Sequence, residues 1–303
     1  MKLKELFELR KKLNEDINKD IYIYNSWIED GRFPEKHQYK GQKLNGNFNC
    51  SECGDLKSLV GAPDSTRDFY CNGCRSLETL EGAPDSTGDF YCNSCTKLTS
   101  LEGAPDSTRD FYCNSCYNLT SLEGAPDSTG NFDCYDCDRL ETLEGAPDST
   151  GNFDCNSCTS LKSLEGAPDS TGDFSCGSCT KLTSLEGAPD STRDFYCNSC
   201  YNLTSLEGAP DSTGNFDCSG CTKLTSLEGI GIKYLKQING EIDLRRCPIK
   251  SHVLGLMKVK DLKEVNMDNK EVEEIINRHL RSRNINKCRA ELEDAGLEEF
   301  AQL

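Results

Sequence analysis

The sequence predicts a parallel β-solenoid with a helical segment at each end. A 21-residue unit repeats eight times without a gap from Gly61 to Glu228. Apolar residues fall at the same places in every unit, and the two ends of the chain differ from the repeats in composition. A fixed period of about 20 to 50 residues is typical of solenoids, in which each unit packs only on its neighbours. We therefore expect the 303 residues to form one array with terminal additions.

Residues 1–39 are predicted to form an N-terminal helical cap. Apolar residues recur there at helical spacing, at Leu3, Phe7, Leu13 and Ile17. This spacing indicates an amphipathic helix over residues 1–19. A solenoid needs a terminal element with a polar outer face, so we expect this helix to cover the open end of the array. Residues 20–39 are interpreted as an irregular connection.

Residues 40–228 are predicted to form nine rungs. The regular units begin at Gly61, Gly82, Gly103, Gly124, Gly145, Gly166, Gly187 and Gly208. Residues 40–60 keep the apolar pattern but lack Gly-Ala-Pro, and they count as a degenerate first rung. The stretch from Ser94 to Cys134 recurs letter for letter from Ser178 to Cys218.

Each unit reads as a short strand followed by a compact return. Phe111 and Cys113 alternate with polar residues, which places them on one face of a strand. Leu119 and Leu122 follow after a turn. The Gly-Ala-Pro that opens each unit opposes helix formation, because proline lacks a backbone donor and clashes with the preceding turn.

The pattern Phe-x-Cys-x-x-Cys-x-x-Leu-x-x-Leu resembles the leucine-rich repeat. Phe111 and Cys113 match its two inward strand positions, and Cys116 matches its Asn/Cys position. The short unit with Gly-Ala-Pro after the last leucine is similar to repeats of bacterial and tailed-phage proteins. The resemblance implies a leucine-rich-repeat-like solenoid, an inward Cys116 that bonds backbone at the turn, and partner docking on the concave strand face.

Residues 229–303 are predicted to hold a last irregular rung and a C-terminal helical region. Ile242, Leu244, Cys247 and Ile249 fit one further rung. Residues 271–283 and 289–303 place apolar side chains at helical spacing. This region is long for a cap, so a binding role stays open.

Nine Cys-x-x-Cys pairs recur with the repeat. Two such pairs at this separation are ordinarily typical of zinc sites. Here the pairs occupy positions where the fold needs small buried residues, and cysteine behaves as a small hydrophobe. We expect structural thiols, no metal and no cofactor, with zinc, iron–sulfur and inter-rung disulfides as alternatives.

The charge is concentrated in the repeats. The chain has a net charge of −17, while residues 40–228 hold 12 basic and 30 acidic residues, which gives −18. This argues against direct nucleic-acid binding, which needs a basic footprint. It permits a basic protein partner or mimicry of nucleic acid. Two acidic rows are expected along one edge, from the Asp after each Pro and the Glu before each Gly.

The candidate binding residues point outward from the strands. The residue between Phe and the first Cys varies among otherwise uniform units, and the residue before Phe runs beside it. The predicted binding residues are Tyr70, Tyr91, Tyr112, Asp133, Asp154, Tyr196, Asp217, Asp68, Asp89 and Asp110. Tyrosine is a frequent hot spot in interfaces, which makes this row the preferred docking surface.

The predicted function is a non-enzymatic scaffold that binds a protein on its strand face. The three histidines show no catalytic spacing to a nucleophile or carboxylate. No stretch approaches the about 20 apolar residues of a membrane span, and the first residues do not resemble a secretory signal. A cytoplasmic location is expected, in a host cell if the protein is phage-encoded. An acidic decoy of a nucleic-acid-binding protein and a metal-binding cysteine ladder are the alternatives, and the oligomeric state is open.

Overall fold

A computed structural model describes residues 19–303 with four exceptions, namely Ser86, Ser107, Ser170 and Thr171. The helix predicted over residues 1–19 therefore lies, apart from Lys19, outside the described residues. The chain divides into two compact units. The first comprises Met1–Cys134 with Gly145–Pro147, and the second comprises Tyr135–Glu144 with Asp148–Leu303.

The described residues of the first unit form six parallel strands that follow one another in sequence order. They are β1 Ile21–Tyr22, β2 Phe48–Asn49, β3 Phe69–Tyr70, β4 Asp89–Tyr91, β5 Asp110–Tyr112 and β6 Ser128–Asp133. Each regular strand pairs in register with the equivalent strand of the next repeat, so that Phe90 lies opposite Phe111. The predicted parallel stacking is confirmed. Strand β1 lies in the segment that was expected to be irregular.

The second unit is built in the same way. Its strands are β7 Ser149–Asp154, β8 Asp173–Ser175, β9 Asp194–Tyr196, β10 Ser212–Thr213, β11 Phe216–Asp217, β12 Gln237–Ile238, β13 Glu241–Asp243 and β14 Glu264–Asn266. The main order is β7-β8-β9-β11-β13-β14, and β10 pairs with β12. The predicted irregular rung corresponds to β13, whereas β14 was not expected.

The core consists of the five apolar positions that the repeat predicts. Phe111, Cys113, Cys116, Leu119 and Leu122 are fully buried, and so are their equivalents in the other rungs. The phenylalanine rings of neighbouring rungs stack on one another. The ring centroids of Phe69 and Phe90 are 5.2 Å apart, and so are those of Phe90 and Phe111. The 21-residue period therefore places identical side chains on top of one another.

The Cys-x-x-Cys segment is the turn that ends each strand. Ser115, between the two cysteines, has a left-handed backbone with φ of 56°. This turn brings Cys116 back toward the interior, where its Sγ lies 3.3 Å from the backbone oxygen of Cys92. All twenty cysteines are buried.

Gly103 shows why each unit opens with glycine. Its φ is +84°, and a Cβ there would lie 2.6 Å from the backbone nitrogen of Glu81 in the preceding rung. No larger residue fits this approach without moving backbone. Among the described residues between 40 and 228 no helix is formed, in agreement with the expected compact return.

Both α-helices of the described chain follow the last strand. Helix α1 spans Lys270–Leu280 and α2 spans Ile285–Asp294. Short 3-10 helices span Asn25–Trp27, Glu35–His37, Val253–Lys258 and Glu298–Ala301. Asn277 of α1 donates to the Val265 carbonyl and accepts from the Val265 amide, both at 2.8 Å. It therefore occupies the backbone groups that β14 would offer to another strand.

Candidate functional site

Three tyrosines form a stack on the outer strand face of the first unit. We call Tyr70, Tyr91 and Tyr112 the tyrosine stack. Neighbouring ring centroids are 4.7 Å apart and the rings deviate from parallel by 4°. In-register strands place these side chains over one another, since equivalent residues of paired parallel strands point to the same face. All three are half-buried.

An acidic row, Asp68, Asp89 and Asp110, runs beside the tyrosine stack. Asp68 accepts a hydrogen bond from the Asp89 amide at 3.1 Å, so its carboxylate is tied to the next rung. Asp89 is only 7% exposed and accepts from the Tyr91 hydroxyl at 3.1 Å. Arg109 donates twice to Asp89, at 2.8 and 2.6 Å. The predicted binding carboxylates therefore also hold the rungs and the tyrosines in place.

Burial and these bonds set the protonation of the face. Burial raises the pKa of Tyr91, and the bond to Asp89 raises it further, so the hydroxyl remains a donor. Burial also raises the pKa values of Tyr70 and Tyr112. Burial acts to raise the pKa of Asp89, but the hydrogen bonds from Arg109 and Tyr91 outweigh it, and the pKa lies below its usual value.

A row of asparagines borders the other side of the stack. The Asn93 amide donates to Asn72 Oδ1 at 2.9 Å, and the Asn114 amide donates to Asn93 Oδ1 at 2.8 Å. The tyrosine stack is thus bordered on both sides by side chains that are bonded to the next rung. Such fixed networks reduce the freedom that a partner would have to remove on binding.

Asp133 of β6 pairs with Tyr112, so it continues the outward row of the first unit beyond the tyrosine stack, and it is half-buried. The other predicted residues do not join this face. In the second unit, Asp154 and Asp217 accept from the backbone amides two residues later, both at 2.8 Å, and so cap the turns. Burial raises the pKa of Asp154. Tyr196 has Ser175 on one paired strand and Asp217 on the other, so it has no ring to stack on in its row.

Two residues that the sequence reading missed extend the outward tyrosine row. Tyr22 pairs with Asn49, and Asn49 pairs with Tyr70, so all three point to the same face. Tyr22 is 55% exposed. The alternation Ile21-Tyr22-Ile23 is the signal that could have predicted this strand. It was missed because it does not belong to a recognisable repeat.

The two predicted acidic rows lie at the surface. The Asp row is exposed from Asp85 to Asp211, and the Glu row is exposed from Glu81 to Glu228. Asp211 pairs with Lys236 at 2.7 Å. Like charges on neighbouring rungs repel one another, and added salt screens this repulsion.

The part of the chain that the structure describes contains no group of three or more His, Cys, Asp or Glu side chains that could hold a metal ion. In the same described part, no helix combines the length and the apolar character needed to cross a membrane.

These features define a repeat protein of the parallel β-solenoid class, with a thiol-lined core and an ordered aromatic and acidic outer face. A comparison with protein-family models gave no match, and a comparison with curated proteins gave none either.

Proposed function

We propose that the protein is a non-enzymatic scaffold that binds a protein partner on the strand face of its first unit. The observation that carries this proposal is the tyrosine stack, in which neighbouring rings lie 4.7 Å apart. Tyrosine offers contact area with a hydrogen-bonding tip and little side-chain entropy to lose. The rows on either side of Tyr91 are already bonded to the next rung.

The partner is a basic protein segment. The repeats carry thirty acidic against twelve basic residues, and this charge attracts a cationic surface during encounter. The Asp68 and Asp110 carboxylates border the tyrosines and are only half-buried. Charge complementarity therefore favours a segment rich in arginine or lysine.

The proposal also includes the repeat family, the capping role of the C-terminal helices and the location of the protein. A leucine-rich-repeat type is supported by the inward Cys116, whose thiol contacts the Cys92 carbonyl where that family has Asn or Cys. A capping role for α1 is supported by the two bonds between Asn277 and Val265. The similarity to tailed-phage and bacterial repeats and a cytoplasmic location are carried forward from the sequence.

A displayed random-peptide library tests the proposal. The wild-type chain is used for selection, and a Tyr91→Ser/Tyr112→Ser variant is used for counter-selection. Serine occupies the same position in β8 as Ser175, so the fold accepts it there. Tyr196→Ser in the second unit is the matched control, because Tyr112 and Tyr196 lie in identical stretches of sequence.

We expect enriched basic peptides that bind the wild type and the Tyr196→Ser control but not the double variant. Peptides that bind all three proteins equally would contradict the proposal. Hydrogen exchange with a selected peptide bound should protect strands β3 to β5.

The second candidate is an acidic decoy of a nucleic-acid-binding protein, favoured by the exposed acidic rows. Decoy binding would weaken steeply with salt and would survive the double tyrosine variant. Replacing Asp85, Asp106 and Asp127 by asparagine would weaken it, whereas the strand-face interaction would change little.

A further inference from the structure

The outward tyrosine row of the first unit has a gap one residue wide. Its members on successive strands are Tyr22, Asn49 and then the tyrosine stack beginning at Tyr70. Asn49 is shorter than a tyrosine, and its Oδ1 is held by the Ser51 amide at 2.9 Å. The side chain is thus directed to the turn, and it does not take the place of a ring between Tyr22 and Tyr70.

The distance between the strands of Tyr22 and Tyr70 matches the insertion of one planar group. Rings within the tyrosine stack repeat every 4.7 Å. Two strand spacings separate the backbones of Tyr22 and Tyr70, which is about 9.5 Å. One flat group inserted at Asn49 would therefore continue the stack at its own spacing. The face of Tyr70 opposite Tyr91 forms one wall, and the 55% exposed Tyr22 forms the other.

The charges around the gap favour a cation. Asp20 and Asp68 flank Asn47 in the acidic row as the two tyrosines flank Asn49, and Asp20 accepts from the Asn47 amide at 2.8 Å. Asp20 and Asp68 both act electrostatically on the Tyr70 hydroxyl, with Arg67 opposing them. Of the planar groups in proteins, the guanidinium alone combines a permanent positive charge with stacking on aromatic faces.

We propose that the slot between Tyr22 and Tyr70, opened by Asn49, binds an arginine side chain of the basic partner segment. The guanidinium stacks between the two rings and faces the carboxylates of Asp20 and Asp68. This assignment rests on the proposed function and specifies which residue of the partner the strand face recognises.

Fluorescence anisotropy with the full chain tests the slot. The probes are labelled hexa-arginine and labelled hexalysine, which have equal charge. The key variant is Asn49→Tyr, which fills the slot with the residue found in the next three rungs. Asn49→Ser is the matched control, because it leaves the slot open at the same charge. Circular dichroism verifies the fold of each variant.

We expect the wild type and Asn49→Ser to bind hexa-arginine about three- to tenfold more tightly than hexalysine. Asn49→Tyr should bring this ratio close to one, and Tyr22→Ala should reduce it. Equal binding of both peptides by the wild type, or an unchanged ratio in Asn49→Tyr, would overturn the proposal. A peptide of alternating lysine and tyrosine that binds best and loses affinity in Asn49→Tyr would assign an aromatic ring to the slot instead.

The anisotropy experiment and the peptide-library experiment can contradict the arginine slot and the tyrosine surface independently of each other. Asn49→Tyr leaves Tyr91 and Tyr112 in place. If selected peptides need those tyrosines while the arginine preference is absent, the strand face binds a partner without an arginine slot. If the arginine preference follows Asn49 while no peptide depends on Tyr91, the wider tyrosine surface is overturned and the slot stands.

Discussion

The thiol of Cys95 donates a hydrogen bond to the backbone oxygen of Cys71, at 3.1 Å, and so joins two rungs inside the core. The same relationship recurs between Cys74 and Cys50 at 3.1 Å. In these rungs the second cysteine thus supplies a further donor to a carbonyl whose backbone partner is the amide three residues later, at 3.3 to 3.4 Å. This function explains why a thiol is more useful there than a methyl group.

Cys95→Ala is expected to destabilise the first unit by about 0.5–1.5 kcal/mol, because the buried Cys71 carbonyl keeps only the longer hydrogen bond from the Cys74 amide, at 3.4 Å. Cys95→Ser retains a donor of similar size and should lose less. Urea unfolding under reducing conditions measures the difference. Equal losses for the two variants would show that packing, and not the hydrogen bond, determines the choice of residue.

The buried thiols make the protein sensitive to alkaline pH. Burial raises the pKa of Cys53 from 9.0 to about 12 and raises those of Cys50 and Cys71 well above 9.0. The folded chain therefore holds protons that the unfolded chain releases, so this stability is complete below about pH 9 and is lost as the pH rises toward the folded values.

At one pH unit above the pKa of the unfolded chain, each such cysteine lowers the free energy of unfolding by about 1.4 kcal/mol. Several together exceed the about 5–15 kcal/mol that stabilises a typical protein. We expect cooperative unfolding near pH 10, and circular dichroism measured as a function of pH detects it. A Cys50→Ala/Cys71→Ala variant should show a shallower dependence of stability on pH, and an unchanged slope would contradict this origin.

Tyr91 and Tyr196 are expected to differ in their contribution to stability. Tyr91 stacks on a ring at each side, whereas Tyr196 has no ring neighbour in its row. Tyr91→Ser should therefore cost about 1–3 kcal/mol more than Tyr196→Ser. Hydrogen exchange in strands β4 and β9 reports each unit separately. Similar losses at both sites would mean that stacking adds little to burial.

Asn277→Ala should expose the edge of β14. The variant loses both bonds to Val265, and we expect a loss of about 1–3 kcal/mol together with concentration-dependent association. Light scattering and urea unfolding measure the two effects. Glu274→Ala, at an exposed position of the same helix, is the control and should change neither.

Most of the fold could be predicted from the sequence because the repeat is so regular. The strands, the buried Phe111, Cys113 and Cys116 and the absence of helix within the described repeats all follow from the pattern. Strands β1 and β14 were not predicted, because neither belongs to a repeat, and the alternation Ile21-Tyr22-Ile23 is too brief a signal without one. Pairing with a neighbouring strand is what makes such segments extended.

The sequence by itself determined the period, and with it which side chains face the core. Only the tertiary structure decided which outward side chains meet. Tyr112 and Tyr196 lie in identical stretches of 41 residues, yet Tyr112 stacks on a ring and Tyr196 does not. The physical reason is that in a stacked array an outward residue contacts its equivalents on the paired strands, about 21 positions away, more closely than its own sequence neighbours on the same face.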